Sequence, residues 1–271
     1  MDRIETLKQW LRPYAADGIA LAYSGGVDSS LLLAVLCAMR REKPFPLLAV
    51  SMRSCFQPEA EAEAVRAGAA ALGAELELFS FDPLSLPAVK NNPPDRCYHC
   101  KYAIFSRFRE AAATHGLAHL VDGTHAGDLN VYRPGRRALA ELGVVSPLAQ
   151  LGFDKPAIRA MARALGLACA GKPAAPCLAT RFDYGTELTP AKIELAARGE
   201  ELLRQYFPAT ADLRLRIHGD LGRIEIPPEM LETALKHREE IAEKLKALGL
   251  RFVTLDLEGF RSGSFDRHAA G

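Results

Sequence analysis

Short apolar segments alternate with amphipathic segments along the first two thirds of the chain. The segments at 19–23, 47–51, 75–79 and 118–121 are apolar or alternate in polarity, and they have the length of strands. The segments between them have the spacing of helices. Strands that alternate with helices predict a parallel sheet covered by helices on both faces. A ligand of such a sheet lies at the carboxyl ends of its strands, here Ser24, Ser51 and the Asp122-Gly123-Thr124 segment.

The pattern changes after Thr189. It predicts a helix at 190–206, strands at 212–218 and 222–226, a helix at 228–247 and a strand at 251–257. This order predicts a small α+β domain, so we expect one domain over residues 1–188 and a second over 189–271. Prolines predict that residues 82–95 form a loop, and residues 168–188 are predicted to form another.

Composition places the protein among globular chains. Of its 271 residues, 49% are hydrophobic and 25% are charged, which argues against disorder. The formal net charge of +1 provides no general basic field, and we therefore expect no nucleic-acid partner. The N-terminal residues lack the layout of a signal peptide, and no apolar run approaches the roughly 18 residues of a membrane helix. These features predict a cytoplasmic protein without a membrane partner.

The first predicted strand leads into a glycine turn and a helix. Adjacent glycines allow close approach of an anion to the backbone, and a helix N-terminus offers it unpaired N–H groups. The turn lacks the lysine of a Walker A loop. Its alternative interpretation is an ordinary corner between a strand and a helix. The predicted phosphate-binding residues are Ser24, Gly25, Gly26, Asp28, Ser29 and Ser30.

Six cysteines in a cytosolic chain are more often thiols or metal ligands than disulfides. Cys37 lies among apolar residues of a predicted helix, where a buried thiol is expected. Cys55 and Cys169 have no close cysteine partner in the sequence, and we interpret both as core or spectator residues.

Cys97 and Cys100 form a C-x-x-C pair at the start of a predicted helix. A redox pair would lack its usual fold context here, because a proline-rich loop precedes it. A zinc site would need Cys177 together with His99 or His125. An iron–sulfur cluster bound by the three cysteines would leave one iron without a protein ligand. The spacing does not choose between zinc and the cluster.

Polar residues at the end of the fourth strand suit a nucleotide and its metal. Gly123 and Thr124 are small residues that a nucleotide could approach, and Asp28 and Asp128 are candidate Mg²⁺ ligands. The alternative is a capped turn in a solvated loop.

Arg181, Arg214 and Arg216 carry guanidinium groups suited to a carboxylate or a phosphate. Arg214 and Arg216 are two residues apart and should share one face of a strand, which could equally be a solvated face.

Several motifs resemble a known family. The turn resembles the SGGxDS signature of the PP-loop ATP pyrophosphatases. This resemblance implies that the protein cleaves ATP at the α-phosphate. The longer pattern resembles the LarE-type sulfur transferases of nickel-pincer cofactor synthesis, which contribute to lactate racemase maturation. The resemblance spans most of residues 17–264 and includes the segments SGGVDSS, RCYHCK, DGTHAGD, KPAIRAMARALGL, KPAAPCLATRFDYG, RLRIHGDLGRIEI and TLDLEGFRSGS.

The resemblance implies a PP-loop α/β fold and a two-step reaction. ATP with Mg²⁺ adenylylates a carboxylate of a pyridinium-3,5-biscarboxylate mononucleotide, and a sulfur nucleophile then displaces AMP to give a thiocarboxylate. Residues 176–181 would place Cys177 beside the activated carboxylate. Thr180 stands where a serine is expected and keeps the hydroxyl. Arg214 and Arg216 would bind the mononucleotide phosphate, and Glu225 would assist a metal or the substrate.

The resemblance also bears on the source of sulfur. Members with one active-site cysteine give up the sulfur of the residue that matches Cys177. Members with three cysteines resemble carriers of a [4Fe-4S] cluster, and the presence of Cys97, Cys100 and Cys177 favours that route here, with zinc as the less favoured occupant.

Two other functions fit parts of the sequence. A PP-loop tRNA thiolase shares the ATP loop and cysteine pairs, but the near-neutral charge argues against it. A non-catalytic module that binds zinc and a nucleotide would leave Cys177 with a structural role only. Enzymes of this kind commonly form homo-oligomers, which we expect here.

Overall fold

The computed structural model describes residues 2–130, 133–173, 177–208 and 210–261. The strands are β1 Ile19–Ala22, β2 Leu47–Arg53, β3 Leu76–Ser80, β4 His119–Val121, β5 Arg214–His218, β6 Leu221–Glu225 and β7 Phe252–Leu255. The helices are α1 Arg3–Ala15, α2 Val27–Glu42, α3 Glu59–Ala71, α4 Pro87–Lys90, α5 Arg96–Thr114, α6 Gly135–Glu141, α7 Pro147–Gln150, α8 Lys155–Ala164, α9 Pro190–Leu203, α10 Leu231–Lys236 and α11 Arg238–Ala247. Short 3₁₀ helices span Pro83–Ser85, Ala126–Asn130, Ala168–Gly171, Leu178–Arg181 and Pro228–Met230.

The chain forms two compact units. The N-terminal unit comprises Met1–Ser54, Glu59–Phe81 and Cys97–Lys172. The C-terminal unit comprises Cys55–Pro58, Asp82–Arg96 and Pro173–Gly271. Two segments from the first hundred residues thus pack with the C-terminal part of the chain. The sequence predicts two domains that meet between residues 188 and 189. That domain boundary remains a prediction.

A four-stranded parallel sheet organises the N-terminal unit. Its strand order is β3-β2-β1-β4, so β1 lies inside the sheet between β2 and β4. Ile19 and Leu21 of β1 face a core built with α1, α2, α3 and α8. Ala20, between them, faces a second core that includes Phe105 and Phe108 of α5. Both faces of the sheet are therefore covered by helices, which confirms the predicted α/β fold.

The C-terminal unit contains a mixed three-stranded sheet. β5 and β6 are antiparallel, β6 and β7 are parallel, and the strand order is β5-β6-β7. Leu215 and Ile224 lie opposite each other and are buried. The alternate positions of β5 and β6 carry charged side chains, with Arg214 opposite Glu225. One face of this sheet is therefore apolar and the other bears charges.

Some predicted elements differ from the structure. The helix predicted at 228–247 is interrupted, because His237 leaves helical geometry between α10 and α11 with φ −101° and ψ 13°. The loop predicted at 82–95 contains a 3₁₀ helix and α4, each of which carries a proline in its first positions. Proline suits the first turn of a helix, so prolines there do not exclude helices.

The described helices differ in length or apolarity from membrane-spanning helices. In the described part of the chain, none is both long enough and apolar enough to cross a membrane.

We predict that the core of the N-terminal unit is sensitive to truncation at Leu36 of α2, which is fully buried. Leu36→Ala should lower the free energy of unfolding by about 2–5 kcal/mol, because it removes buried methyl groups and leaves a cavity. Urea unfolding followed by circular dichroism measures the change. Leu129→Ala, at a side chain that is 44% exposed in the same unit, is the matched control. An equal loss in both variants would contradict the prediction.

Candidate active site

The turn after β1 is held by the hydroxyl of Ser29. Its Oγ accepts a hydrogen bond from the Ser24 amide at 3.2 Å and donates to the Gly26 carbonyl at 3.2 Å. The Ser24 and Ser29 hydroxyls are 3.1 Å apart. α2 starts at Val27 with Gly26 as its N-cap. The predicted phosphate-binding residues thus form one ordered turn at the N-terminus of a long helix, where an anion is favoured.

Two glycines permit the close packing of this turn. Gly25 has φ +71°, a left-handed conformation that favours glycine, and a Cβ there would lie 3.1 Å from the Val65 side chain. A Cβ on Gly123 would lie 3.1 Å from the Ser29 amide nitrogen. The end of β4 therefore approaches the first turn of α2 directly. The structure brings Gly123 together with the phosphate-binding turn.

Lys155 is a residue of this site that the sequence interpretation missed. Its Nζ contacts both carboxylate oxygens of Asp28, at 2.8 and 2.6 Å. Lys155 is the first residue of α8, whose N-cap Asp154 accepts a hydrogen bond from the Ala157 amide. A lysine beside a helix N-terminus and next to the phosphate-binding turn adds positive charge where an anion would bind.

Asp122 fixes the segment that follows β4. This buried carboxylate accepts hydrogen bonds from the hydroxyls of Thr124 at 2.5 Å and Ser146 at 2.6 Å. The Asp122 amide donates to the Val145 carbonyl at 2.9 Å. Asp122 therefore connects Thr124 to the backbone and side chain of the 145–146 segment.

Asp128, a predicted Mg²⁺ ligand, has protein partners in the structure. One oxygen accepts a hydrogen bond from the His125 amide at 3.1 Å, and the other lies 3.0 Å from the Arg133 guanidinium. The residue is 7% exposed. A metal at Asp128 would have to compete with these contacts.

Cys97 and Cys100 lie in the first turn of α5 and are half-buried. Their spacing of three places both thiols on one face of the helix. α6 packs closely against this turn, because a Cβ on Gly135 would lie 3.2 Å from the Cys97 carbonyl oxygen. The guanidinium of Arg137 stacks 3.7 Å from the Tyr98 ring centre, and the Tyr98 hydroxyl donates to Glu141 at 2.8 Å.

The donor chemistry of the three cysteines suits an iron–sulfur cluster, whose usual ligands are thiolates. Across residues 2–130, 133–173, 177–208 and 210–261, however, no three His, Cys, Asp or Glu side chains form a group that could hold a metal ion. The structure thus provides the Cys97 and Cys100 pair but no complete ligand set in the part of the chain it describes.

Cys177 starts a tight turn in the C-terminal unit. Its carbonyl accepts hydrogen bonds from the Thr180 hydroxyl at 2.7 Å and the Thr180 amide at 3.0 Å. Arg181 donates to the Thr180 hydroxyl at 2.8 Å and pairs with Glu200 at 2.6 and 2.9 Å. Thr180 and Arg181 therefore hold the turn that carries Cys177. Pro176, which was expected to start this segment, lies outside the described residues.

A second set of contacts, also missed by sequence reasoning, supports the turn from the 82–96 segment. Asn92 is fully buried with φ +51°, and its amide donates to the carbonyls of Asp183 at 2.7 Å and Phe182 at 3.3 Å. Arg96 donates to Asn92 and, at 3.1 Å, to the Ala179 carbonyl. The only local signal for this role is an asparagine, a residue that tolerates left-handed geometry.

The charged face of β5 and β6 adjoins the same turn. Arg216 donates to the Thr180 carbonyl and pairs with Glu225 at 3.0 Å. Glu225 also accepts from Arg223 at 3.1 Å. Arg214 lies 5.0 Å from the ring centre of Phe260 and donates to the Leu213 carbonyl at 2.6 Å. Arg214 and Arg216 share a face as predicted, and that face is buried rather than solvated.

Positive charge is concentrated in this region. Desolvation lowers the pKa of Arg214 to about 10, and the neighbouring guanidinium groups of Arg181 and Arg216 contribute to that shift. Desolvation also lowers the pKa of Arg216, although Glu225 opposes the change. A bound anion would stabilise the protonated forms of both groups.

The predicted site residues fall into two sets. The N-terminal unit contains the phosphate-binding turn with Gly123 and, elsewhere in it, Thr124, Asp128, Cys97 and Cys100. The C-terminal unit brings Cys177, Thr180, Arg181, Arg214, Arg216 and Glu225 together. Their roles in binding and catalysis remain predictions.

We predict that Lys155 strengthens ATP binding. Lys155→Met should weaken binding of ATP without Mg²⁺ about tenfold or more, because it removes a cation and leaves the Asp28 carboxylate facing the phosphates. Isothermal titration calorimetry measures the affinity. Lys172→Met is closely matched, since Lys172 is equally exposed at 33% and pairs with Glu61 at 2.8 Å. Equal weakening in both variants would contradict a specific role for Lys155.

We also predict that Asn92 stabilises the Cys177 turn. Asn92→Ala should lower the free energy of unfolding by about 2–4 kcal/mol, because two carbonyls lose their donor and alanine disfavours the left-handed conformation. Chemical denaturation measures the loss. The neighbouring exposed Asn91, replaced by alanine, is the control, and it should change stability by less than about 0.5 kcal/mol. A stable Asn92→Ala protein would show that the turn does not depend on this amide.

Comparisons with known proteins identify the family. A PP-loop domain model matches residues 2–130. The pyridinium-3,5-bisthiocarboxylic acid mononucleotide synthase of Lactiplantibacillus plantarum is 38% identical over 247 residues, which are 90% of this chain and 87% of that protein. An uncharacterized protein of Synechocystis sp. is 36% identical over 98% of this chain and 97% of its own length. An uncharacterized protein of Methanocaldococcus jannaschii is 31% identical over 90% of this chain and 91% of its own length. The chain therefore belongs to the LarE-type ATP-dependent sulfur transferases of the PP-loop superfamily.

Proposed function

We propose that the protein adenylylates a carboxylate of pyridinium-3,5-biscarboxylic acid mononucleotide and converts it to a thiocarboxylate. The Lactiplantibacillus relative is a pyridinium-3,5-bisthiocarboxylic acid mononucleotide synthase, and a thiocarboxylate product of this class supports the proposal. The observation that carries the proposal is the group of buried arginines at the Cys177 turn. Arg181 belongs to the turn, and Arg216 donates a hydrogen bond to the Thr180 carbonyl. The charges of both guanidinium groups contribute to the lowered pKa of Arg214. Such a group favours the phosphate of a mononucleotide.

The first step belongs to the phosphate-binding turn. A substrate carboxylate oxygen attacks the α-phosphorus of ATP, pyrophosphate leaves, and an acyl adenylate forms. The amides of the turn and the start of α2 would stabilise the charge that develops on the phosphate oxygens. Lys155 would hold Asp28 in place until Mg-ATP binds. Mg²⁺, for which Asp28 is the proposed protein ligand, would neutralise phosphate charge when it accompanies ATP.

The second step needs a sulfur nucleophile. Sulfur attacks the carbonyl carbon of the acyl adenylate, and AMP leaves with the bonding electrons. The hydrogen bonds from Thr180 to the Cys177 carbonyl and the Arg181 pair with Glu200 would fix the position of Cys177. Positioning of this kind lowers the entropic part of the barrier.

The sulfur carrier is part of the proposal. The three-cysteine pattern favours a [4Fe-4S] cluster on Cys97, Cys100 and Cys177, in which the unligated iron would hold the transferable sulfide. The spacing of Cys97 and Cys100 on α5 supports a shared metal. The described residues form no complete ligand group for such a cluster. In the alternative route Cys177 donates its own sulfur.

Anaerobic purification followed by two assays tests the proposal. Iron, zinc and acid-labile sulfide are measured first, and the protein is then incubated with Mg-ATP and the mononucleotide while AMP, pyrophosphate and thiocarboxylate are measured. We expect thiocarboxylate formation that needs no RNA, and a cluster that Cys97→Ala abolishes. Cys177→Ser should abolish thiocarboxylate, whereas Cys169→Ser, at another half-buried cysteine, should not.

The outcomes separate the alternatives. Bound zinc without AMP formation would contradict catalysis, and AMP formation that needs RNA would favour a tRNA thiolase. A loss of about 34 mass units at Cys177 would show the sacrificial route. Arg214→Gln should raise KM for the mononucleotide at least tenfold with less effect on KM for ATP. Arg198→Gln, at an exposed arginine of the same unit, should leave both KM values unchanged.

A further inference from the structure

Cys55 lies in a short segment that packs against the Cys177 turn. Residues 55–58 belong to the C-terminal unit although they follow β2 of the N-terminal unit in sequence. The Leu178 amide donates a hydrogen bond to the Phe56 carbonyl at 2.9 Å, and both Phe56 and Leu178 are buried. Cys55 and Cys177 each immediately precede one member of this bonded pair. The backbone therefore holds the two cysteines close to each other.

The electrostatics of Cys55 agree with this proximity. Desolvation, the Asp82 carboxylate and the sulfur of Cys177 together raise the pKa of the Cys55 thiol to about 11. The residue itself is exposed, so of its two interpretations, core or spectator, the core one is wrong. A small solution reagent can therefore reach it.

The backbone connects the two cysteine-bearing segments directly. The residues that follow Cys55 and Cys177 are joined by the hydrogen bond from the Leu178 amide to the Phe56 carbonyl. Disulfides join residues whose Cα atoms are roughly 4.4–6.8 Å apart. A bond between Cys55 and Cys177 therefore requires that their Cα atoms reach this separation.

We propose that Cys55 and Cys177 form a reversible disulfide under oxidising conditions and that this bond withdraws Cys177 from sulfur transfer. The oxidant is a low-molecular-weight disulfide. The thiolate of Cys177 attacks one sulfur of the oxidant and expels a thiolate. The Cys55 thiol then loses its proton and attacks the Cys177 sulfur, which expels a second thiolate. Two protein thiols are oxidised, and their two protons pass to the two expelled thiolates, so the small disulfide is reduced to two thiols.

Bond formation is independent of the proposed function, whereas the inhibition rests on it. Oxidation would replace the nucleophilic sulfur of Cys177 with a disulfide sulfur, which cannot attack an acyl adenylate. It would also exclude Cys177 from binding iron, because metal binding requires the thiolate. Reduction by a thiol would restore both thiols.

Controlled oxidation of the full chain tests the bond. The wild-type protein and a Cys97→Ser/Cys100→Ser variant are equilibrated with oxidised and reduced glutathione, alkylated, digested and analysed by mass spectrometry. The double variant removes the competing C-x-x-C pair. We expect a peptide crosslinked between Cys55 and Cys177 in both proteins, together with an intact mass about 2 units lower in the double variant.

Single substitutions provide the controls. With Cys55→Ser, Cys177 should keep a glutathione adduct instead of forming the crosslink, whereas Cys169→Ser should leave the crosslink unchanged. The proposal is wrong if Cys55 stays open to alkylation under oxidising conditions that modify Cys177. It is also wrong if Cys177 crosslinks only to a cysteine other than Cys55.

Activity assays separate this proposal from the proposed function. Under reducing conditions, Cys55→Ser should form thiocarboxylate at the wild-type rate. After glutathione oxidation, it should recover activity no more slowly than wild type when thiol is added. A crosslink in a protein that forms no thiocarboxylate would leave the disulfide standing and contradict the function. Thiocarboxylate formation without a crosslink would support the function and contradict the disulfide.

Discussion

The buried ion pair between Arg181 and Glu200 is the contact on which the Cys177 region depends. Glu200 on α9 accepts two hydrogen bonds from Arg181 and a third, at 3.0 Å, from the Leu215 amide of β5. One carboxylate thus connects the turn, a helix and the sheet. A buried pair contributes little net stability, because desolvation offsets much of the attraction. Its larger effect is geometric, since the bidentate contact fixes the guanidinium, which in turn donates to Thr180.

The same region holds several buried arginines next to buried carboxylates. Glu200 pairs with Arg181, and Glu225 is shared between Arg216 and Arg223. Arg214 adds a further buried cation, and its lowered pKa reflects desolvation and the like charges beside it. A mononucleotide phosphate would reduce this repulsion. The like charges that help to lower the Arg214 pKa would therefore favour binding of an anion.

Local sequence predicts the parts of the site that depend on neighbouring residues. The glycine turn and the common face of Arg214 and Arg216 follow from short motifs and from the two-residue period of a strand. Contacts between distant segments do not follow in this way. Lys155 meets Asp28 across 127 positions because α2 and α8 pack together in one core. Asn92 lies in a segment whose prolines predict a loop, and its buried amide becomes recognisable only when the 182–183 backbone is placed beside it.

The proposed metal ligands show how ligand-free and ligand-bound states would differ. Asp28 is neutralised by Lys155, Asp128 by Arg133, and Glu225 by Arg216 and Arg223. Each carboxylate thus already has a cation within 3.1 Å. Binding of Mg-ATP at Asp28 would be an exchange, in which Mg²⁺ replaces the ammonium group and the ammonium group turns to the phosphates. Such an exchange keeps charge balanced throughout, so the carboxylate is never left beside phosphate without a counter-ion.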